Sequence, residues 1–228
     1  MLETVIALPV VLVLGLSITQ WALIHQARAV VDHATLMAAR TGALANAETG
    51  PMHNAFARAT APLHLNDAPA PGFEPAFSTR AMPDARLNLA LHILTPTREA
   101  FADHGQRDAN GKVYLPFRHL DRATSGIGRR SGISLQDATL LRVRATYGYA
   151  LEVPYAGAFI LQALRTATRW TSAYGARERA MLATGRLPLV TTATVRMQTR
   201  AYRGRRFPRR SELPEVPRQA PDNGNNAP

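Results

Sequence analysis

A run of apolar residues near the N-terminus, residues 5–24, constrains this chain more than any other feature. Only Ser17, Thr19 and Gln20 within it are polar. A helix of that length rises about 30 Å, which matches the hydrocarbon core of a bilayer. Pro9 stands near the start of the run, where few upstream carbonyl groups lose a hydrogen-bond donor. The run, called the span below, therefore predicts a transmembrane helix.

The helix is predicted to continue beyond the span to about residue 47, because residues 25–47 contain no proline and a single glycine. Small or apolar residues recur there at helical spacing: Ala27, Val30, Val31, Ala34, Met37, Ala38 and Ala45. A secreted protein cut near Ala29 is an alternative interpretation, because Ala27-Arg28-Ala29 is similar to a signal-peptide cleavage site. That cut would divide the predicted helix in its middle, which favours the uncleaved helix.

The orientation of the span is open at this point. Basic residues follow the span and none precedes it in the given sequence. Taken alone, the positive-inside rule places the rest of the chain in the cytoplasm. A basic leader upstream of Met1 would reverse that orientation, because its charges would stay in the cytoplasm.

Residues 1–47 resemble the N-terminus of TadE-like proteins, the minor pilins or pseudopilins of Tad (Flp-type) pili, which have a type IV pilin-like N-terminus. Two motifs carry the resemblance: Leu2-Glu3-Thr4 followed by Leu8-Pro9, and Ala-Ala-Arg-Thr-Gly-Ala at residues 38–43. The family has Leu-Val-Glu-Phe and then Leu-Pro at the first motif, and Ala-Ala-Arg-Glu-Gly-Ala at the second. Thr4 departs from the family, which has an aromatic residue after the glutamate.

The resemblance implies a structural protein of pilus assembly and no enzymatic activity. Glu3 would be the pilin glutamate, which pairs with the N-terminal amine of a neighbouring subunit, and a carboxylate at the edge of an apolar helix needs such a partner. If a leader exists upstream, a prepilin peptidase would cut after a glycine encoded three codons before Met1. The membrane anchor would consist of Leu8, Pro9, Leu12, Leu14, Leu16 and Trp21.

The implied partners are other pilin or pseudopilin subunits, inner-membrane assembly proteins and membrane lipid. The chain would cross the inner membrane once, with its C-terminal domain in the periplasm, and an extracellular pilus is a second location. An alternative function is a single-pass membrane-anchored binding or scaffolding protein in the periplasm with no role in a pilus.

Residues 48–202, called the body below, are predicted to form a periplasmic α+β domain. A helix is expected from Pro51 to about Thr60 and a loop over residues 66–76. Alternating apolar residues predict strands near 87–93, 112–117, 141–151 and 187–197, and amphipathic helices lie between 154 and 182. A long N-terminal helix followed by a small antiparallel sheet with packed helices is a pilin-like arrangement.

Residues 203–228 are rich in Arg, Pro and Asn and are predicted to be a disordered tail. The tail contributes to the formal net charge of +11, and its basic residues include Arg203, Arg205, Arg206, Arg209 and Arg210. Such charges attract phosphate groups without specificity. Only Tyr202 and Phe207 are interleaved with them, so no specific nucleic-acid partner is predicted.

No catalytic, cofactor-binding or metal-binding residue is predicted. The chain has no cysteine, and its seven histidines are scattered without an H-E-x-x-H motif. The G-x-S-x-G, G-x-x-x-x-G-K-[ST] and G-x-G-x-x-G motifs are also missing from the sequence. Residues 108–111, Asp-Ala-Asn-Gly, are interpreted as a hairpin turn rather than part of a calcium loop.

Overall fold

The computed structural model describes residues 2–117, 126–153, 156–170 and 174–213, with side chains described from residue 7 onward except at 168–170. The helices are α1 Leu2–Leu44, α2 Thr49–Thr60, α3 Phe73–Ala76, α4 Met82–Asn88, α5 Arg98–His104, α6 Leu135–Ala138, α7 Ala156–Trp170 and α8 Ala176–Ala183. The strands are β1 Leu89–Thr95, β2 Gln106–Arg107, β3 Val113–Leu115, β4 Leu140–Ala150, β5 Arg186–Arg196 and β6 Ala201–Tyr202. Short 3-10 helices occur at Ala61–His64 and Arg210–Glu212, and a π-helical turn at Phe77–Ala81.

Two small antiparallel sheets organise the body. The central sheet has the strand order β1-β4-β5, and the second has the order β2-β3-β6. Strands β4 and β5 pair along their whole length, from Leu140 opposite Arg196 to Ala150 opposite Arg186. Helices pack on these sheets, so the fold is α+β with a long N-terminal helix, as the sequence predicts.

The C-terminal half of α1 is the centre of the hydrophobic core. It contacts α2, β4 and β5, and its buried face consists of small side chains: Ala27, Val31, Ala34, Ala38, Ala39 and Ala43. Small side chains let the helix backbone approach the sheet closely. Gly42 shows how close this packing is, because a Cβ atom added there would lie 2.8 Å from the Met52 sulfur on α2.

α1 ends in a tight reversal three residues earlier than predicted. Asn46 and Ala47 both adopt positive φ angles, 54° and 59°, which no residue of a right-handed helix has. The Ala47 N–H donates to the Gly42 carbonyl at 2.8 Å, and the Asn46 N–H donates to the Thr199 hydroxyl at 3.0 Å. These bonds fix the point at which the chain turns back into α2.

Most predicted elements of the body are present, with two local errors. Leu87 belongs to α4 and is exposed, so the first strand of the central sheet begins only at Leu89. The predicted loop at 66–76 is helical over Phe73–Ala76, because Pro75 can occupy the first turn of a helix. The hairpin turn before β3 is confirmed, since the Gly111 N–H donates to the Asp108 carbonyl at 2.8 Å.

The C-terminal segment, residues 203–213, corrects the predicted tail. Phe207 is fully buried and packs against Phe101 of α5, with ring centroids 4.8 Å apart and ring planes tilted by 50°. Arg98 donates from its guanidinium group to the carbonyls of Phe207 and Arg205, at 2.8 and 2.9 Å. One buried aromatic ring and these hydrogen bonds hold a segment whose average composition predicts disorder. Residues 214–228 of the predicted tail lie outside the described residues.

Candidate functional site: the exposed half of the N-terminal helix

The N-terminal half of α1 leaves its apolar side chains uncovered. The exposed residues there are Leu8, Val10, Val11, Leu12, Val13, Leu14, Ile18 and Trp21. Moving such side chains out of water is worth on the order of 10 kcal/mol for the set. An exposed apolar surface of this size is typical of a helix that a lipid bilayer or the apolar helices of other proteins cover.

The two hydroxyl side chains of the span make hydrogen bonds within their own helix. Ser17 donates to the Val13 carbonyl at 2.7 Å, and Thr19 donates to the Gly15 carbonyl at 3.0 Å. Both bonds lie within α1, one turn back along the helix. A hydroxyl group bonded in this way does not need water, which makes the span compatible with a hydrocarbon environment.

The predicted anchor residues all lie on this half of α1. Leu8, Pro9, Leu12, Leu14 and Trp21 are exposed, and Leu16 is half-buried. Pro9 lies inside the helix without ending it. Glu3 lies in the first turn of α1, where the helix dipole favours a carboxylate, and its side chain is outside the described part of the chain. The role of Glu3 in subunit pairing therefore stays a prediction.

A largely buried polar cluster around Asp84, which no local sequence pattern predicts, lines a pocket between α4 and the central sheet. Tyr147 on β4 donates its hydroxyl proton to Asp84 at 2.5 Å, and Arg186 on β5 forms an ion pair with the same carboxylate at 2.9 Å. Asn88 also donates to Asp84, at 2.9 Å. Burial and the neighbouring Asp84 charge raise the pKa of Tyr147 above its ordinary value of 10.0. The phenol stays neutral, so this cluster joins α4 to the sheet and supplies no ionised nucleophile from Tyr147.

The raised pKa of Tyr147 predicts a loss of stability at alkaline pH. Above about pH 10 the unfolded tyrosine ionises while the folded one stays protonated, so the unfolded state binds fewer protons and stability falls as pH rises. The Tyr147→Phe variant should lose stability by about 1 to 3 kcal/mol near neutral pH, since Asp84 loses a donor. Above pH 10 the free energy of unfolding of this variant should also fall less steeply than that of the wild type. The difference in slope should be about 1.4 kcal/mol per pH unit.

This prediction is checked by measuring the free energy of unfolding of the full chain at several pH values. Tyr202→Phe is the control, because Tyr202 is only partly buried and its hydroxyl bonds to Asp108 at a long distance of 3.4 Å. Equal alkaline slopes for the wild type and Tyr147→Phe would contradict the account of the cluster.

Several basic residues of the C-terminal segment contact the body, Arg206 through its side chain and Arg203 through its backbone. Arg206 donates to the Asn46 carbonyl at 3.0 Å, and its guanidinium carbon lies 5.1 Å from the Phe207 ring centroid. Arg210 bonds through its backbone N–H to Glu99 at 3.0 Å. The Arg203 N–H donates to the Val113 carbonyl, and Arg209 donates from its N–H to Glu212. The segment therefore closes the body around α1 and α5, and its order argues against a purely solvated extension.

Across residues 7–117, 126–153, 156–167 and 174–213, no three His, Asp or Glu side chains are grouped closely enough to hold a metal ion. The described side chains therefore provide no candidate metal centre, and the exposed half of α1 is the surface that most needs a functional explanation.

The fold and the exposed helix together define a class of protein: an α+β domain joined to one N-terminal helix. Residues Ala7–Leu44 of that helix are long and apolar enough to cross a membrane. Within this class, the family model described as TadE-like protein matches residues 1–40. The match confirms the resemblance and associates the chain with Tad pili, whose TadE-like components are structural proteins rather than enzymes. No curated protein and no solved structure matches the chain.

Proposed function

We propose that this chain is a minor pilin or pseudopilin of a Tad pilus, anchored in the inner membrane by residues 5–24 with its body in the periplasm. One observation supports this most strongly. The TadE-like match over residues 1–40 falls on a helix whose first half is apolar and uncovered. A helix of this kind can rest in lipid before assembly and pack against the helices of other pilus subunits afterwards.

Glu3 would set the axial position of the subunit during assembly. A carboxylate at the edge of an apolar helix is costly in hydrocarbon unless a cationic group compensates its charge. The N-terminal amine of a neighbouring subunit is such a group, and pairing with it selects one vertical offset between two parallel helices. Other pilin or pseudopilin subunits and the inner-membrane assembly proteins are the proposed partners, and a prepilin peptidase is the processing enzyme if a leader is encoded upstream.

The test is complementation of a strain that lacks the gene and has the rest of the Tad locus. The wild-type gene should restore pili, and Glu3→Gln should fail to restore them while the protein is still found in the membrane fraction. This substitution keeps the size of the side chain and removes its charge, so a failure would assign the effect to the missing carboxylate.

Glu48→Gln is the matched control, because Glu48 is exposed and makes no side-chain hydrogen bond at the start of α2. It should restore pili as well as the wild type does. Normal pili in the deletion strain would instead support the alternative, a membrane-anchored binding or scaffolding protein with no role in the pilus.

A further inference from the structure

Helix α7 begins beside the part of α1 that belongs to the span. Gln20 lies in the last part of the span and is completely buried, and its side-chain oxygen accepts a hydrogen bond from the Val153 N–H at 2.9 Å. Gly157, in the first turn of α7, lies next to the same side chain, since a Cβ atom added there would be 3.8 Å from the Gln20 oxygen. α7 therefore starts at the level of Gln20.

The depth of Gln20 places α7 at a membrane surface if the span lies in a bilayer. Gln20 is four residues before the end of the span at Ile24, which corresponds to about 6 Å along the helix. Amphipathic helices that lie in the plane of a membrane bury their apolar face about 5 to 10 Å into the boundary between headgroups and acyl chains. The start of α7 falls within that range.

The apolar face of α7 is wider than the part that the protein covers. Ala156 and Gly157 are buried towards α1, and Leu164 packs against the core. Phe159, in contrast, is 76% exposed. Ala163 and Ala167 follow it at intervals of four residues and are also exposed, so an apolar stripe runs along one edge of the helix.

The flank of α7 away from Phe159 is polar, as expected for the side of an interfacial helix that faces away from the acyl chains. Arg165 lies on the flank away from Phe159 and donates to the carbonyls of Leu182 and Ala183, at 2.8 and 3.1 Å, which joins α7 to the end of α8. The sequence of α7 contains two arginines and no acidic residue. A helix with this charge is attracted to anionic phospholipid headgroups.

We propose that α7 is an interfacial helix that lies on the membrane surface beside the span, with the Phe159 stripe inserted among phospholipid headgroups and acyl chains. This inference rests on the proposed membrane anchor. The contact would hold the body at a fixed angle to the membrane, because α7 packs against α1 beside Gln20 and is bonded to the end of α8 through Arg165. The ligand is the anionic phospholipid surface itself.

The experiment uses single-cysteine variants of the full chain, which has no cysteine of its own. A spin label is attached at Phe159→Cys, Ala158→Cys or Val10→Cys, and each protein is reconstituted in nanodiscs of phosphatidylethanolamine and phosphatidylglycerol. Accessibility of the label to molecular oxygen is compared with its accessibility to a water-soluble nickel chelate. Ala158 is the matched control, because it is exposed on α7 but points about 100° away from Phe159.

The label at Val10 should be protected from the chelate and accessible to oxygen, which checks the anchor. The label at Phe159 should also be protected from the chelate and accessible to oxygen. The label at Ala158 should be accessible to the chelate. A protected Val10 with equal chelate accessibility at Phe159 and Ala158 would overturn the interfacial helix and leave the anchor intact. The label at Phe159 is also measured in assembled pili. If it is accessible to the chelate in nanodiscs and protected only in pili, the interfacial helix is overturned and the stripe is assigned to a neighbouring subunit. A chelate-accessible Val10 would overturn the anchor and this inference together.

Discussion

Replacing both Leu12 and Leu14 by arginine is expected to release the chain from the membrane. Both residues lie near the middle of the span and are more than half exposed on α1. An arginine at the centre of a transmembrane helix costs about 2.5 to 3.5 kcal/mol, so two of them cost about 5 to 7 kcal/mol. The measurement is the fraction of the protein that remains in the membrane pellet after alkaline carbonate extraction.

The matched control for the span is the pair Met37→Arg and Leu44→Arg on the same helix. Both residues are exposed apolar side chains of α1, and both lie outside the span. This pair adds the same charge and the same side-chain volume, and it should leave the protein in the pellet. Equal retention of the two double variants would mean that residues 5–24 do not anchor the chain.

Replacing Ala38 by aspartate is expected to unfold the body with little effect on anchoring. Ala38 is completely buried in the core with the central sheet, so the added carboxylate would stand among apolar side chains. An uncompensated buried charge costs about 3 to 5 kcal/mol, which is a large part of the stability of a domain of this size. Chemical unfolding of the detergent-solubilised full chain, followed by circular dichroism, measures this loss.

The neighbouring residue provides the control for Ala38. Met37 is 36% exposed and its new carboxylate can reach water, so Met37→Asp should lower the free energy of unfolding by only about 1 kcal/mol. Similar losses for the two aspartate variants would contradict the packing of α1 against the sheet, because adjacent positions on a helix point about 100° apart.

The sequence was sufficient to predict α1 and the central sheet because both depend on local periodicity. Residues 27 to 43 repeat small side chains at helical spacing, and that stripe is the face that is buried. The alternation in β4 and β5 likewise predicts two long strands, and these pair residue by residue from one end to the other. The exposed half of α1 follows from composition alone.

The remaining features depend on contacts between distant parts of the chain, which no local pattern contains. Tyr147 and Asp84 are 63 positions apart, and the Gln20 bond to Val153 joins residues 133 positions apart. Composition predicts a tail that includes Phe207, because composition is an average over many residues and does not register one buried ring. The ring that packs beside Phe101 and the Arg98 bonds to the Phe207 and Arg205 carbonyls hold this segment on the body.

The mass of the mature N-terminus tests the central claim most directly. Protein made in its native host from the full-length gene, including any upstream codons, is purified from membranes, and its N-terminal peptide is identified by mass spectrometry. If the chain is a TadE-like pilus subunit, the mature protein should begin four residues before Glu3, so that Glu3 is its fifth residue. A mature protein that begins near Ala29, or one that keeps its whole N-terminus, would contradict the account.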